Sequence, residues 1–301
     1  MKTDLARIRG EKRAAWLSVG GNLLLTAVKI TIGLVAASEA LFADGLHNAA
    51  DLFASIIVLS VIGYANKPAD DDHPYGHGKA EVIISGIVGL ILLAVAVYVI
   101  VDAAQTIIAG PAAAPDVLAA WVAGASFAVK WALFRYTLRE SARLNSKAIE
   151  AIAYDHKTDI AASMAAVIGI LLAVFGGTSQ QPVFLYADPI GGLIVAAFIV
   201  RIAWEMLIES FHILLERSID PDQLRAFQEV IFRFPDVKRI DRIRAREHGH
   251  YILLDVRISV PHHYTVKEGH DLGRRIKEAL MESDDRIQEV LIHLNPFYPD
   301  G

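Results

Sequence analysis

Leu41-Phe42-Ala43-Asp44-Gly45-Leu46-His47-Asn48-Ala49-Ala50-Asp51 decides how this chain is read. The stretch lies inside an otherwise apolar run that reads as a membrane-spanning helix. His47 and Asp51 are four residues apart, so they project from one helix face. Ionisable groups at bilayer depth are costly and mark function. A second pair with the same spacing, Asp155 and Asp159, lies in a later apolar run. Two such pairs on two helices can supply four ligands to one metal ion. Carboxylates in apolar surroundings cannot all stay ionised and unpaired, because each would cost several kcal/mol. Metal binding therefore outweighs a packing role for His47. A divalent ion held by three carboxylates and a neutral imidazole leaves one negative charge, which a proton or a nearby cation can absorb. Asp44, one turn before His47, is expected to support it, and Asn48 to make an interhelical hydrogen bond.

Six apolar segments run over 15–37, 40–65, 82–108, 116–138, 148–175 and 184–209, each near the ~20 residues a bilayer requires. The joins at 36–40, 109–116 and 176–189 carry no Lys or Arg, whereas 66–81 and 135–147 do, as does the N-terminal tail with Lys2, Arg7, Arg9, Lys12 and Arg13. Lysine and arginine favour the cytoplasmic side, so both termini are expected there. Lys130 and Arg135 are expected to snorkel to the cytoplasmic interface beside Trp131. Lys29 is expected to pair with an acid on another helix. The tail lacks a secretory cleavage pattern, and the compact chain without a targeting peptide suggests a bacterial inner membrane.

Composition narrows the chemistry. The chain of 301 residues is 54% hydrophobic and has a net charge of −5, which gives no basic field for nucleic acid. It has no cysteine, so disulfides and thiolate sites are excluded. A site of His, Asp, Glu and Asn favours zinc, manganese, iron, cobalt or cadmium over copper(I).

From about Phe211 charge returns. Helix 221–234, strands 237–247 and 250–260, helix 266–281 and strand 287–294 make an α-β-β-α-β order, with Gly249 at a hairpin turn. The expected organisation is a six-helix membrane domain over 1–210 and a ferredoxin-like cytoplasmic α+β domain over 211–301.

Between spans two and three lies Pro68-Ala69-Asp70-Asp71-Asp72-His73-Pro74-Tyr75-Gly76-His77-Gly78-Lys79-Ala80-Glu81. Pro and Gly alone would make a solvated turn, but two histidines four apart beside three aspartates exceed what a turn needs. Gly78-Lys79 lacks the phosphate-loop spacing, and no such loop occurs elsewhere, so ATP is not expected to drive transport.

Over nearly its full length the chain resembles the cation diffusion facilitator family of metal transporters. The resemblance rests on Ala43 to Asp51, on Pro68 to Glu81, and on Tyr154-Asp155-His156-Lys157-Thr158-Asp159. It implies a transport site of His47, Asp51, Asp155 and Asp159, and a loop site, often filled by zinc in the family, of Asp70, His73 and His77. It also implies a salt bridge between Lys79 and Glu216 at the membrane-domain boundary, a regulatory metal site of Asp241, Asp255, His270 and His293, and a homodimer. Two departures stand out. The span-two pair is zinc-like, but the span-five Asp-x3-Asp pair is manganese-like, giving a harder, more oxygen-rich shell. The family commonly has histidine where Asp241 and Asp255 stand, and aspartate where Asn295 stands. His248, His250, His262 and His263 are further candidates for weak metal binding.

The expected function is divalent metal efflux by metal/proton antiport, with zinc or manganese as the substrate and possible regulator and no organic cofactor. A membrane-anchored metal sensor or scaffold is the alternative, but paired ionisable residues deep in two helices exceed what an anchor needs. An enzyme is not expected, since His-Glu-x-x-His is absent and no base–nucleophile pair stands out.

Overall fold

The computed structural model describes the backbone of residues 2–111, 113–144 and 147–298; the side chains of 2–18, 54–59, 62, 144, 147–151, 155 and 158 lie outside the description. Helices α1 (Lys2–Val35), α2 (Glu39–Ala65), α3 (Lys79–Ala109), α4 (Val117–Leu144), α5 (Lys147–Ser179) and α6 (Ala187–Leu214) come first, with a 3₁₀ turn at Pro182–Tyr186. Then follow α7 (Pro221–Phe232), β1 (Arg239–His248), β2 (Tyr251–Pro261), α8 (Val266–Ser283) and β3 (Ile287–Phe297). The chain divides into two compact units, Met1–Ile57 with Ile87–Met206, and Val58–Gly86 with Leu207–Gly301.

The first unit is packed with alanine and faced with large apolar side chains. Ala40, Ala43, Ala96, Ala166 and Ala196 are fully buried, while Ile87, Leu90, Ile91, Val97 and Trp121 are exposed. A bundle in water shows the opposite arrangement. Small residues inside and large apolar ones outside suit helices that pack closely with lipid around them. Among the described residues, four helical stretches are long and apolar enough to cross a bilayer: Lys79–Ala109, Val117–Arg143, Ile152–Ser179 and Pro182–Leu214. Val19–Val35 is a shorter apolar helix, and α2 contains side chains outside the description.

The corner between α1 and α2 holds the site's first helix in place. Ala37 turns into the left-handed region, and Ser38 N–H donates to Gly33 O at 2.9 Å, closing α1 in the usual C-terminal manner. Ser38 Oγ accepts from Leu41 N–H and itself donates to Asp188 Oδ1 at 2.7 Å, while Glu39 N–H donates to Asp188 Oδ2 at 2.7 Å. A carboxylate on α6 thus satisfies donors at the start of α2, a cap worth about 1 kcal/mol. Further along, a Cβ at Gly45 would stand 2.8 Å from Ile30 N, so α1 and α2 can touch only with glycine there. That close approach sets Lys29 beside Asp44.

In the second unit β1 and β2 are antiparallel, β2 and β3 parallel, in the order β1-β2-β3. Alternate residues of β2, from Ile252 to Val260, face a core completed by Phe227 and Ile231 of α7 and by Leu272, Ile276 and Leu280 of α8. Asp220 caps α7 ahead of Pro221, and Thr265 with Glu268 forms a capping box on α8. This is the expected α-β-β-α-β domain, with β3 reaching Phe297. Gly249 turns the β1–β2 hairpin at φ 75°, a conformation that costs other residues about 1–2 kcal/mol. Its missing Cβ also makes room for the backbone of Gly78. Gly249→Ala is expected to destabilise the protein by at least this conformational cost. Thermal unfolding of the full chain checks it, and an unchanged melting temperature would contradict the close packing.

Candidate metal centre

α2 presents His47 and Asp51 on one face, and α5 presents Asp159 toward them. One ligand atom of each lies within 4.8 Å of the others. His47 Nε2 is 3.6 Å from Asp159 Oδ1, and both residues are buried. Neither ring nitrogen of His47 makes a hydrogen bond within 3.5 Å among the described residues, the Asp159 carboxylate standing just beyond it. A buried imidazole left in this way normally costs stability, and a cation between it and the carboxylates would complete it. The side chain of Asp155 lies outside the described residues.

Two buried lysines surround this cluster. Lys29 of α1 reaches Asp44 Oδ2 at 2.6 Å and donates to Ser163 Oγ at 3.3 Å, while Ser163 donates to Asp44 Oδ1 at 2.9 Å. The expected interhelical acid for Lys29 is therefore Asp44, which is tied to Lys29 and Ser163. Lys130 corrects the sequence reading. It does not snorkel; it is fully buried, donates to Asn48 Oδ1 at 2.7 Å and stands 3.5 Å from Asp159 Oδ2. α4 turns this residue inward, where an amide and a carboxylate replace water as partners. Asn48 makes the interhelical hydrogen bond expected of it.

The loop between α2 and α3 forms a second cluster. Asp70 Oδ1 is 3.3 Å from His73 Nδ1, and Asp70 Oδ2 is 3.3 Å from His77 Nε2. All three offer ligand atoms within 4.8 Å of one another. The His73 backbone N–H donates to Asp70 Oδ1 at 2.7 Å and holds its carboxyl below the usual aspartate range. His77 is buried edge-on against Tyr64. The hairpin tip braces the loop, with Tyr251 Oη donating to Tyr75 O at 2.6 Å.

Residues 15–215 match the cation efflux transmembrane domain, and residues 219–297 match the cation efflux protein cytoplasmic domain. The chain belongs to the cation diffusion facilitator family. Among its relatives is the manganese efflux system protein MneP of Bacillus subtilis, 49% identical over 96% of this chain and 97% of that protein. The manganese efflux system protein MneS of the same organism is 33% identical, covering 96% of each. The crystal structure of the cytosolic domain of a cation diffusion facilitator family protein is 30% identical, covering 25% of this chain and 90% of that one, with a TM-score of 0.25. This family member is thus an integral membrane cation efflux protein whose substrates are metal ions.

The regulatory set implied for such a transporter is not assembled within one chain. Asp241 accepts from Arg239 Nε at 2.6 Å, Ser259 Oγ at 2.8 Å and Asn295 Nδ2 at 2.8 Å, and Asn295 Oδ1 lies 3.1 Å from His293 Nε2. His270 and His293 line one groove between α8 and β3. Asp255 stands apart, facing Arg244 in the β1–β2 register and bound by Arg246 at 2.8 Å. It precedes Ser259 by four residues on β2, about 13 Å at strand spacing. Arginine and amide donors thus occupy both aspartates. Among the described residues, metal-competent clusters occur only at the two places already named. His248 stacks on Tyr251, and His262 stacks on Tyr298.

Lys79 and Glu216 form the expected ion pair, and Arg246 Nε joins Glu216 Oε2 at 2.6 Å. Glu216 follows α6 with φ 62°, a conformation unusual for a non-glycine residue and offset here by two cations. Burial pushes its carboxyl upward, but the hydrogen bond and charge of Lys79, with Arg246, outweigh it and hold the group below the ordinary 4.5. A depressed folded value means the pairing stabilises the protein above about pH 4.5 and is lost as pH falls through the lowered value. The melting-temperature advantage of wild type over Glu216→Gln is therefore expected near neutrality and should shrink on acidification below about pH 4.5. A difference independent of pH would contradict the pairing.

Proposed function

We propose that the protein exports manganese(II) from the cytoplasm in exchange for protons, using His47, Asp51, Asp155 and Asp159. The observation that carries this reading is the cluster of the buried His47 imidazole with the half-buried Asp51 and buried Asp159 carboxylates, whose ligand atoms lie within 4.8 Å of one another. With Asp155 added from the sequence, the set offers one nitrogen donor against three carboxylates. Oxygen-rich sets suit manganese more than zinc, which accepts nitrogen readily. The manganese efflux names of MneP and MneS support the same assignment.

Coupling follows from the ligands themselves. A metal ion needs neutral imidazole and ionised carboxylates, so loading releases protons and protonation ejects metal. One site open to each side in turn can therefore exchange the two. Asp70, His73 and His77 would bind a second ion with a regulatory role. We assign transport to residues 1–210 and regulation and homodimer contacts to residues 211–301, with both termini in the cytoplasm of a bacterial cell and no use of ATP or chemical catalysis.

The test is proton flux in proteoliposomes driven by manganese, zinc, iron(II), cobalt or cadmium, compared side by side. Manganese is expected to move fastest, with protons moving oppositely. Zinc moving fastest would overturn the manganese assignment, and metal movement without protons would overturn the antiport.

A further inference from the structure

Lys130 is unexplained by a site that holds a cation. Its ammonium is fully buried beside a proposed ligand, 3.5 Å from Asp159 Oδ2, and its closest acceptor is the neutral amide of Asn48 at 2.7 Å. Asp159 is shared in turn with His47 at 3.6 Å. Lys29 differs: its near carboxylate, Asp44 at 2.6 Å, is not one of the proposed ligands. An ammonium that spends its buried ion pair on a proposed metal ligand works against cation binding, unless it balances charge that the site must carry. Counting Asp155 from the sequence, the three aspartates bring three negative charges and Lys130 returns one. What remains equals the charge of one divalent ion.

We propose that Lys130, held between Asn48 and Asp159, is a fixed positive charge that weakens the membrane site's grip on its divalent ion enough for release. The inference rests on the metal site proposed above and assigns Lys130 a positioning role in its affinity. The ammonium draws on Asp159 and repels the incoming ion across a short, poorly screened distance. With Lys130, a loaded divalent ion leaves the site neutral; without it, the site would bind that ion too tightly to turn over. Arginine carries the same charge on a larger planar head, so Lys130→Arg keeps the electrostatic effect under test.

The experiment is manganese(II) titration of the purified full-length protein carrying His73→Ala and His77→Ala, so that the loop cluster does not contribute. Binding and proteoliposome kinetics are compared for Lys130 itself, Lys130→Met and Lys130→Arg. Lys130→Met is expected to lower the Kd at least tenfold, to lower KM, and to lower kcat, while Lys130→Arg stays close to the parent. A lysine that merely builds the site would give the opposite sign, weaker binding in Lys130→Met. That result, or unchanged binding, overturns the proposal while leaving the metal site intact. If the parent itself binds no manganese, the site assignment falls and this inference with it. Should Lys130→Met fail to fold, Lys130→Gln is measured in its place. If neither folds while Lys130→Arg does, the lysine is structural and the proposal is overturned.

Discussion

Asp159→Ala is expected to abolish manganese transport, lowering flux in proteoliposomes by at least the ~10–100-fold that even residues supporting metal ligands command. The substitution removes the carboxylate that faces both His47 Nε2 and Lys130 Nζ. It leaves the fully buried Lys130 facing the neutral Asn48 amide. The site would lose one negative charge and one ligand together, so neither a higher metal concentration nor a steeper proton gradient should restore the rate. Asp51→Ala should behave in the same way. Protein that elutes as wild type on size exclusion yet carries no flux is the expected outcome. Wild-type flux in either variant would contradict the assignment.

The second large effect is on stability. Asp44→Leu is expected to cost about 3–5 kcal/mol, the loss typical when one partner of a buried ion pair is removed. Lys29 is fully buried, with Asp44 Oδ2 at 2.6 Å, and after the substitution it would lose that carboxylate and keep the neutral Ser163 Oγ at 3.3 Å. The double variant Lys29→Met with Asp44→Leu should recover most of the loss, because removing both charges also removes the unpaired one. Thermal unfolding of the two variants beside wild type measures this. If the double variant is no more stable than Asp44→Leu, the pair is not what Asp44 supplies.

Much of the membrane site was legible in the sequence because its signal is local. His47 and Asp51 share a helix face by spacing alone, and a charge pair in an apolar run has few bland readings. The loop cluster was legible for the same reason, since Asp70, His73 and His77 lie within eight residues of one another. Lys130 was not. Beside Trp131 and Arg135 it matches the composition of an interfacial anchor, and only the rotation of α4 decides whether its ammonium meets headgroups or Asp159. Asp188 was missed because it caps a helix 149 residues away from it in sequence, a relation no periodicity carries. Asp241 and Asp255 share a sheet, but strand register separates them, and Arg246 and Asn295 take up their acceptors. The α-β-β-α-β order, by contrast, follows from alternation on β2 and from Gly249, both of which are visible residue by residue.

Anomalous diffraction from crystals of the full-length protein loaded with manganese(II) shows where the ion sits. A manganese peak enclosed by His47, Asp51 and Asp159, lost in Asp159→Ala, is expected. A peak at Asp70, His73 and His77 with none between α2 and α5 would contradict it.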